Sequence, residues 1–252
     1  VAPPPRETPR NGGAAVTTLR DRYLAEIGIP VWRTRGGGPG QVALVASPEP
    51  AADVAAPVAL AEAAQDSDAW SALQASVRAC TICGLHRGRT QTVFGVGRRD
   101  ARLFVIGEAP GADEDRQGEP FVGRAGQLLN AMLRAIGLPR AEVYIANILK
   151  CRPPNNRDPE PSESASCTPY LTRQIELVQP RVLLAVGRIA AQWLLQTDTP
   201  IGRIRGRALS FGPRNTPLVV TYHPAYLLRS PLDKAKAWTD LCLVKELLSR
   251  SS

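Results

Sequence analysis

The chain has 252 residues, room for one large domain or for a domain of about 180 residues with an appendage. Its formal net charge of +8 is uneven: residues 1–70 hold six Lys and Arg against eight Asp and Glu, and residues 71–252 hold 25 against 15, so the larger segment is the one suited to a polyanionic partner. No run of about 18 apolar residues is present and the N-terminus lacks a charged-then-apolar signal pattern, which argues against a membrane role and for a soluble, intracellular protein.

Residues 1–18 and 36–66 are rich in Ala, Pro, Gly and Val with few aromatics, a composition that reads as linker. Between them, Leu19, Tyr23, Leu24 and Ile27 stand at helical spacing and the pattern stops at Gly28 and Pro30, with Trp32 just beyond. This short amphipathic helix, near 19–27, either docks on the main domain or takes a protein partner. The extension is therefore assigned to 1–66 and the main domain to 67–252.

The main domain opens with a helix near 68–77 that leads into Cys80-Thr81-Ile82-Cys83. Leu103–Ile106 is an apolar, β-leaning run that breaks at Gly107 into a loop with five carboxylates and Phe121. A helix follows over about 125–136, closed by Gly137 and Pro139. The alternation then repeats: strand 143–149, helix 161–178, strand 181–186, helix 188–195, strand 218–221 and a closing helix over 233–249. Strands alternating with helices indicate an α/β protein with a parallel sheet covered on both faces. Ligands of such sheets bind beyond the carboxyl ends of the strands, where Glu108, Asn147 and His223 all fall.

Five cysteines in a protein expected inside the cell point to metal or catalysis before disulfides. Cys80 and Cys83 are followed after 67 residues by Cys151 and after 15 more by Cys167. Four thiolates select zinc or an iron–sulfur cluster. A structural zinc more often pairs two CxxC knuckles, and only one is present, which favours iron–sulfur. Cys242 falls in the apolar stripe of the last helix, where a free cysteine acts as a small hydrophobe.

Taken together, GEAPG (107–111), GEPFVGRAG (118–126), NILKCRPPNNRDP (147–159), HPAYLLR (223–229) and the four cysteines resemble the family 4, iron–sulfur uracil-DNA glycosylases. The resemblance covers about 80–250. It implies a three-layer α/β/α fold with a four-stranded parallel sheet, a [4Fe-4S] cluster on Cys80, Cys83, Cys151 and Cys167, and a monomer that acts on uracil in single- or double-stranded DNA. A cytoplasmic protein, at the nucleoid in a prokaryote, would follow.

By the same resemblance Phe121 stacks on the flipped uracil, Gly107 and Ala109 line the base pocket, and Asn147 pairs with N3–H and O4. His223 donates to O2 as negative charge develops on the departing base. Glu108 and Glu114 are candidates for positioning water or stabilising the cationic sugar, Glu114 also for blocking a 5-methyl group, and Asn156 belongs to that neighbourhood. The chain departs from the best-known uracil glycosylases here: where their GQDPY motif carries an Asp and a Tyr, Ala109 and Gly111 stand. Leu227 or Leu228 would be the wedge that fills the vacated stack, and Arg229 would grip phosphate. Arg152, Arg157, Arg203, Arg205 and Arg207 are further candidates for phosphate contact. A competing reading is a non-catalytic, DNA-binding iron–sulfur accessory of replication or repair. A glycosylase that traps DNA through a histidine in an inserted loop is disfavoured, because NILKCRPPNNR has neither insertion nor histidine.

Overall fold

A computed structural model describes residues 56–250, with side chains from residue 68. The amphipathic segment at 19–27 lies outside the described residues. The first described helix, α1 (Ala56–Ala79), begins well before the expected position near 68. Its early part falls in the 36–66 stretch whose Ala, Pro, Gly and Val content and scarcity of aromatics predict linker, yet alanine is the strongest helix former.

Strand β1 (Val96–Gly97) precedes β2 (Leu103–Gly107), helix α2 (Ala112–Gln117) and helix α3 (Arg124–Ala135). A 3₁₀ turn, Arg140–Glu142, leads to β3 (Tyr144–Asn147), α4 (Pro161–Val178), β4 (Val182–Val186) and α5 (Arg188–Leu195). The chain ends with α6 (Ile201–Ile204), β5 (Ala208–Phe211), β6 (Thr216–Thr221), α7 (Pro224–Arg229) and α8 (Lys234–Arg250).

The strands form one sheet in the order β1-β3-β2-β4-β6-β5. Its centre, β3-β2-β4-β6, is parallel, as expected for four strands. The sheet nonetheless has six, because β1 and β5 add antiparallel edges. Both edges are hard to read from sequence: β1 is two residues long, and the residues of β5 alternate between half-buried and exposed.

Residues of β2 and β4 are buried on both faces, which is why they read as unbroken apolar runs. Their side chains alternate between two cores. Phe104, Ile106, Leu183 and Ala185 pack with Trp70 and Val77 of α1, Leu171 and Ile175 of α4, and Ala190 and Leu194 of α5. Leu103, Val105, Val182 and Leu184 pack with Leu129 and Leu133 of α3 and with Leu241, Val244 and Leu248 of α8. The result is a three-layer α/β/α arrangement. No described helix is long and apolar enough to cross a membrane.

The register places the site. Gly107 pairs with Asn147, and the ladder continues beyond the strands: Ile148 N donates to Gly107 O at 3.0 Å and Leu149 N donates to Glu108 O at 3.0 Å. The loops after β2 and β3 therefore leave the sheet side by side. Cys242 is exposed, not in the apolar stripe where the sequence suggested it; the stripe runs through Leu241, Val244 and Leu248.

Candidate active site

Beyond the carboxyl ends of β2, β3 and β6 lies a cavity of about 470 Å³ lined by Glu108, Ala109, Glu114, Phe121, Asn147, Asn156, His223 and Arg229, among others. That size suits a small organic ligand. Residues more than a hundred positions apart in sequence share this wall. Gly107 lies beneath it: a Cβ there would meet Asn147 Oδ1 and would stand 2.6 Å from Phe121 Cζ, so only glycine lets the two side chains close over the strand end.

Asn147 is buried, and its Oδ1 has no hydrogen-bond partner among the described residues. Leaving such an oxygen unpaired costs about 1–3 kcal/mol, a debt that a ligand N–H would cancel. The backbone of Asn147 is secured from below, where the fully buried Lys150 Nζ donates to Asn147 O at 2.8 Å and to Gln174 Oε1 at 2.7 Å. Gln174 in turn donates to Phe94 O at 2.9 Å and to Tyr144 Oη at 3.2 Å. This polar chain runs through the layer between the sheet and α4.

His223 caps α7, and Ala225 N donates to its Nδ1 at 3.1 Å. Nδ1 thus holds a lone pair, and a neutral ring carries its proton on Nε2. Burial pushes the pKa of His223 down to about 4, assisted by the nearby Arg229 and opposed by Glu114. At neutral pH the ring is an uncharged donor. It stands against Phe121, with ring centroids 5.7 Å apart and planes inclined by 32°.

Phe121 is 6% exposed and has φ of 55°, in the left-handed region. For an aromatic residue this costs about 1–3 kcal/mol and persists only where neighbours hold it. Glu114 supplies one set of restraints. Its Oε1 accepts from Val122 N at 3.0 Å and Gly123 N at 3.1 Å, and its Oε2 accepts from Gly111 N at 3.1 Å. Both oxygens of Glu114 are therefore occupied by backbone amides, which makes it a brace for the Phe121 loop and a poor choice for activating water.

Glu108 differs. None of its side-chain atoms is tied down by a described hydrogen bond, and burial, with Asp158 adding to it and Arg188 opposing it, pushes its pKa up to about 7. A carboxyl poised near neutrality at a cavity wall suits proton transfer or water positioning.

Of the two wedge candidates, Leu227 is fully buried, which removes it from a DNA-facing role; Leu228 is 38% exposed. The helical period of α7 turns successive leucines to opposite environments. Arg205 is likewise withdrawn from the basic run: it forms a forked pair with the buried Asp240 at 2.8 Å and 3.0 Å and lies over the Tyr222 ring. Arg203 and Arg207 are exposed. Arg157 reaches the cavity but is forked onto Glu163 at 2.6 Å and 2.8 Å, and Arg152 donates to Asn156 Oδ1 at 2.7 Å. Arg140, which no motif singled out, donates to four groups around the Phe121 loop.

The four expected cysteines line one small cavity between the end of α1, the loop after β3 and α4. Cys151 and Cys167 are buried, and burial raises both thiols, that of Cys167 to about 11. Arg89 Nη1 donates to Cys151 Sγ at 3.1 Å, and the Lys150 amide and Tyr170 hydroxyl approach Cys167 and Cys80. Such donors suit sulfur carrying negative charge. Among the described residues no group of three or more His, Cys, Asp or Glu side chains is already gathered for a metal ion. Four thiols around one cavity are a soft donor set, of the kind that takes zinc or an iron–sulfur cluster. His86 lines the same cavity, with Nδ1 2.7 Å from Cys83 O, a contact that orients the ring locally.

A family model described as the uracil DNA glycosylase superfamily matches residues 94–242. A type-4 uracil-DNA glycosylase of Archaeoglobus fulgidus is 43% identical over 180 residues, covering 69% of this chain and 90% of that protein. One from Thermotoga maritima is 45% identical over 156 residues, 61% of this chain and 80% of the relative. A third, from Saccharolobus solfataricus, is 43% identical over 180 residues, 69% and 83% respectively.

Proposed function

The chain belongs to the uracil DNA glycosylase superfamily, and we infer from that membership and from its site that it is a uracil-DNA glycosylase of DNA repair. It hydrolyses the N-glycosidic bond of uracil in DNA and leaves an abasic site. The observation that carries the reading at the level of atoms is the orphaned Oδ1 of Asn147, buried in a cavity that also holds an aromatic face and a neutral imidazole.

In this proposal the flipped base lies against Phe121, with Asn147 Oδ1 accepting from N3–H and the amide donating to O4. Cytosine presents the reverse pattern and would leave the asparagine unpaired. His223 Nε2–H faces O2 and stabilises negative charge on the base as the bond lengthens and the sugar becomes oxocarbenium-like. Ionised Glu108 holds the attacking water or offsets the cationic sugar. Glu114 acts through the loop it braces; Gly107, Ala109 and Asn156 shape the wall. Leu228 is the wedge and Arg229 a phosphate contact, at the cost of about a few kcal/mol for flipping.

The test is single-turnover excision from a uracil-containing oligonucleotide between about pH 5.5 and pH 8.5. Glu108 ionises above its pKa of about 7, so the rate is expected to climb with pH through that value. His223 titrates near 4 and adds no limb in this window. Glu108→Gln should lower the rate by about 10²–10⁴-fold and flatten the profile. A wild-type rate independent of pH would remove the ionised Glu108 from the reaction, and no excision at all would remove the glycosylase.

Cys80, Cys83, Cys151 and Cys167 are proposed to hold a [4Fe-4S] cluster. When bound it would supply a cross-link between α1, the loop after β3 and α4, with no redox step required for hydrolysis. The purified protein should be brown, absorbing near about 400 nm, and Cys167→Ser should bleach it and lower its melting temperature. A colourless, zinc-loaded protein would refute the cluster. The protein is proposed to work on DNA as a monomer in the cytoplasm. Residues 1–66 are proposed as an extension to the glycosylase domain, 67–252, with the segment near 19–27 open to a protein partner; the last residues of that extension already belong to α1.

A further inference from the structure

We propose that Arg140 is a positioning residue for base recognition, holding Phe121 in the strained conformation from which it stacks on the flipped uracil. The proposal rests on the glycosylase reading above and extends it to a residue outside the cavity wall.

Phe121 has a left-handed backbone, and its carbonyl is pressed on the first turn of α3: a Cβ at Gly126 would collide with Phe121 O. An aromatic residue left to itself would relax out of this conformation. Glu114 restrains the segment just after it, through the amides of Val122 and Gly123. Nothing in that brace holds the segment before it. Arg140 does. Its Nη2 donates to Pro120 O at 2.6 Å and to Glu119 Oε1 at 2.8 Å, and its Nη1 donates to Phe121 O at 3.4 Å. The same Nη1 donates to Asn130 Oδ1 at 3.3 Å, which anchors the guanidinium to α3.

Arg140 itself opens the 3₁₀ turn that runs into β3, the strand ending at Asn147. One guanidinium thus references the stacking ring to both α3 and the strand that carries the recognising amide. The planar fork is what makes this possible, because a lysine presents a single point and cannot span two successive carbonyls and a carboxylate. The pair with Glu119 is only partly exposed, at 22% for Arg140 and 44% for Glu119, so it is better protected than the exposed ion pairs of this surface.

The experiment is a double-mutant cycle on the full chain, with single-turnover excision from a uracil oligonucleotide by wild type, Arg140→Ala, Phe121→Ala and the double variant. Arg140→Ala should slow excision by about 100-fold in the wild-type background. In the Phe121→Ala background the same change should cost less than about threefold, because the ring it positions is gone. Equal losses in both backgrounds, or no loss in either, would overturn the proposal, since a general structural role is additive. Should Arg140→Ala fail to melt cooperatively, Arg140→Lys carries the same cycle with a smaller loss. Hydrogen exchange provides a readout independent of catalysis: the amides of residues 121–123 should exchange at least about tenfold faster in Arg140→Ala. Unchanged exchange would refute the clamp even if the wild type were inactive on uracil, and inactivity with faster exchange would count against the glycosylase reading alone.

Discussion

Asn147→Asp is expected to lower single-turnover excision of uracil by about 10³-fold or more. The substitution changes one atom, yet it removes the only donor the side chain can offer to O4 and replaces it with an acceptor. It also places a carboxylate where Asn147 is 2% exposed, at the end of a strand where, among the described residues, its side-chain oxygen meets no hydrogen-bond donor. Whether that group ionises or stays protonated, the complement to N3–H and O4 is degraded. Some stability should be lost as well, because a buried carboxylate must either ionise without a partner or keep its proton, although Oδ1 itself has no partner among the described residues to lose. The check pairs a rate measurement with a thermal melt. A variant that excises uracil at the wild-type rate would remove Asn147 from recognition, and one that loses rate and folding together would make its role structural.

His223→Ala should cost about 10²–10³-fold in the single-turnover rate at saturating DNA, with little change in DNA affinity. That split is the signature of a donor engaged when charge develops and not when substrate first binds. The same residue should register in stability. In the folded chain its pKa is lowered from 6.5 to about 4, so the unfolded chain binds the proton more readily between those values. The neutral ring contributes fully above about pH 6.5, and its contribution is lost as pH falls toward about 4. Melting temperature followed over that interval should fall with acid in the wild type and fall less in the alanine variant. A rate loss that appeared wholly as weaker DNA binding would exclude the role given to Nε2.

Much of this was legible before any coordinates. Helices 161–178 and 188–195 stand where the sequence placed them, each begun by a clear punctuator: Pro161 at the first, Gly187 before the second. The parallel core was readable because strands buried on both faces leave an unbroken apolar signature. Short or one-sided pieces were not. β1 and β5 carry too few residues to show a period, and α7 is hidden inside a motif that reads as a loop. Within the site, residue identity announced the chemical groups but not their freedom. Glu108 and Glu114 look alike in sequence; three backbone amides commit one of them to the loop, and burial tunes the other. Leu227 and Leu228 are adjacent and identical in type, and only the rotation of α7 separates core from surface. Arg140 follows a proline after a helix stop, a place where arginine usually means only solvent.

The pairing of Gly107 with Asn147 bears on how a lesion is found. The floor of the cavity is the hydrogen-bonded end of a sheet, continued for two further bonds into the loops above it. A floor of that kind yields little to what lands on it, so the mould exists before the nucleotide arrives. Reorganisation during capture then falls mainly on the nucleic acid, which must unstack and swing a base out to be inspected. Under those terms the speed of search is governed by the looseness of each base in its own helix, and a poorly paired uracil presents itself to a waiting protein.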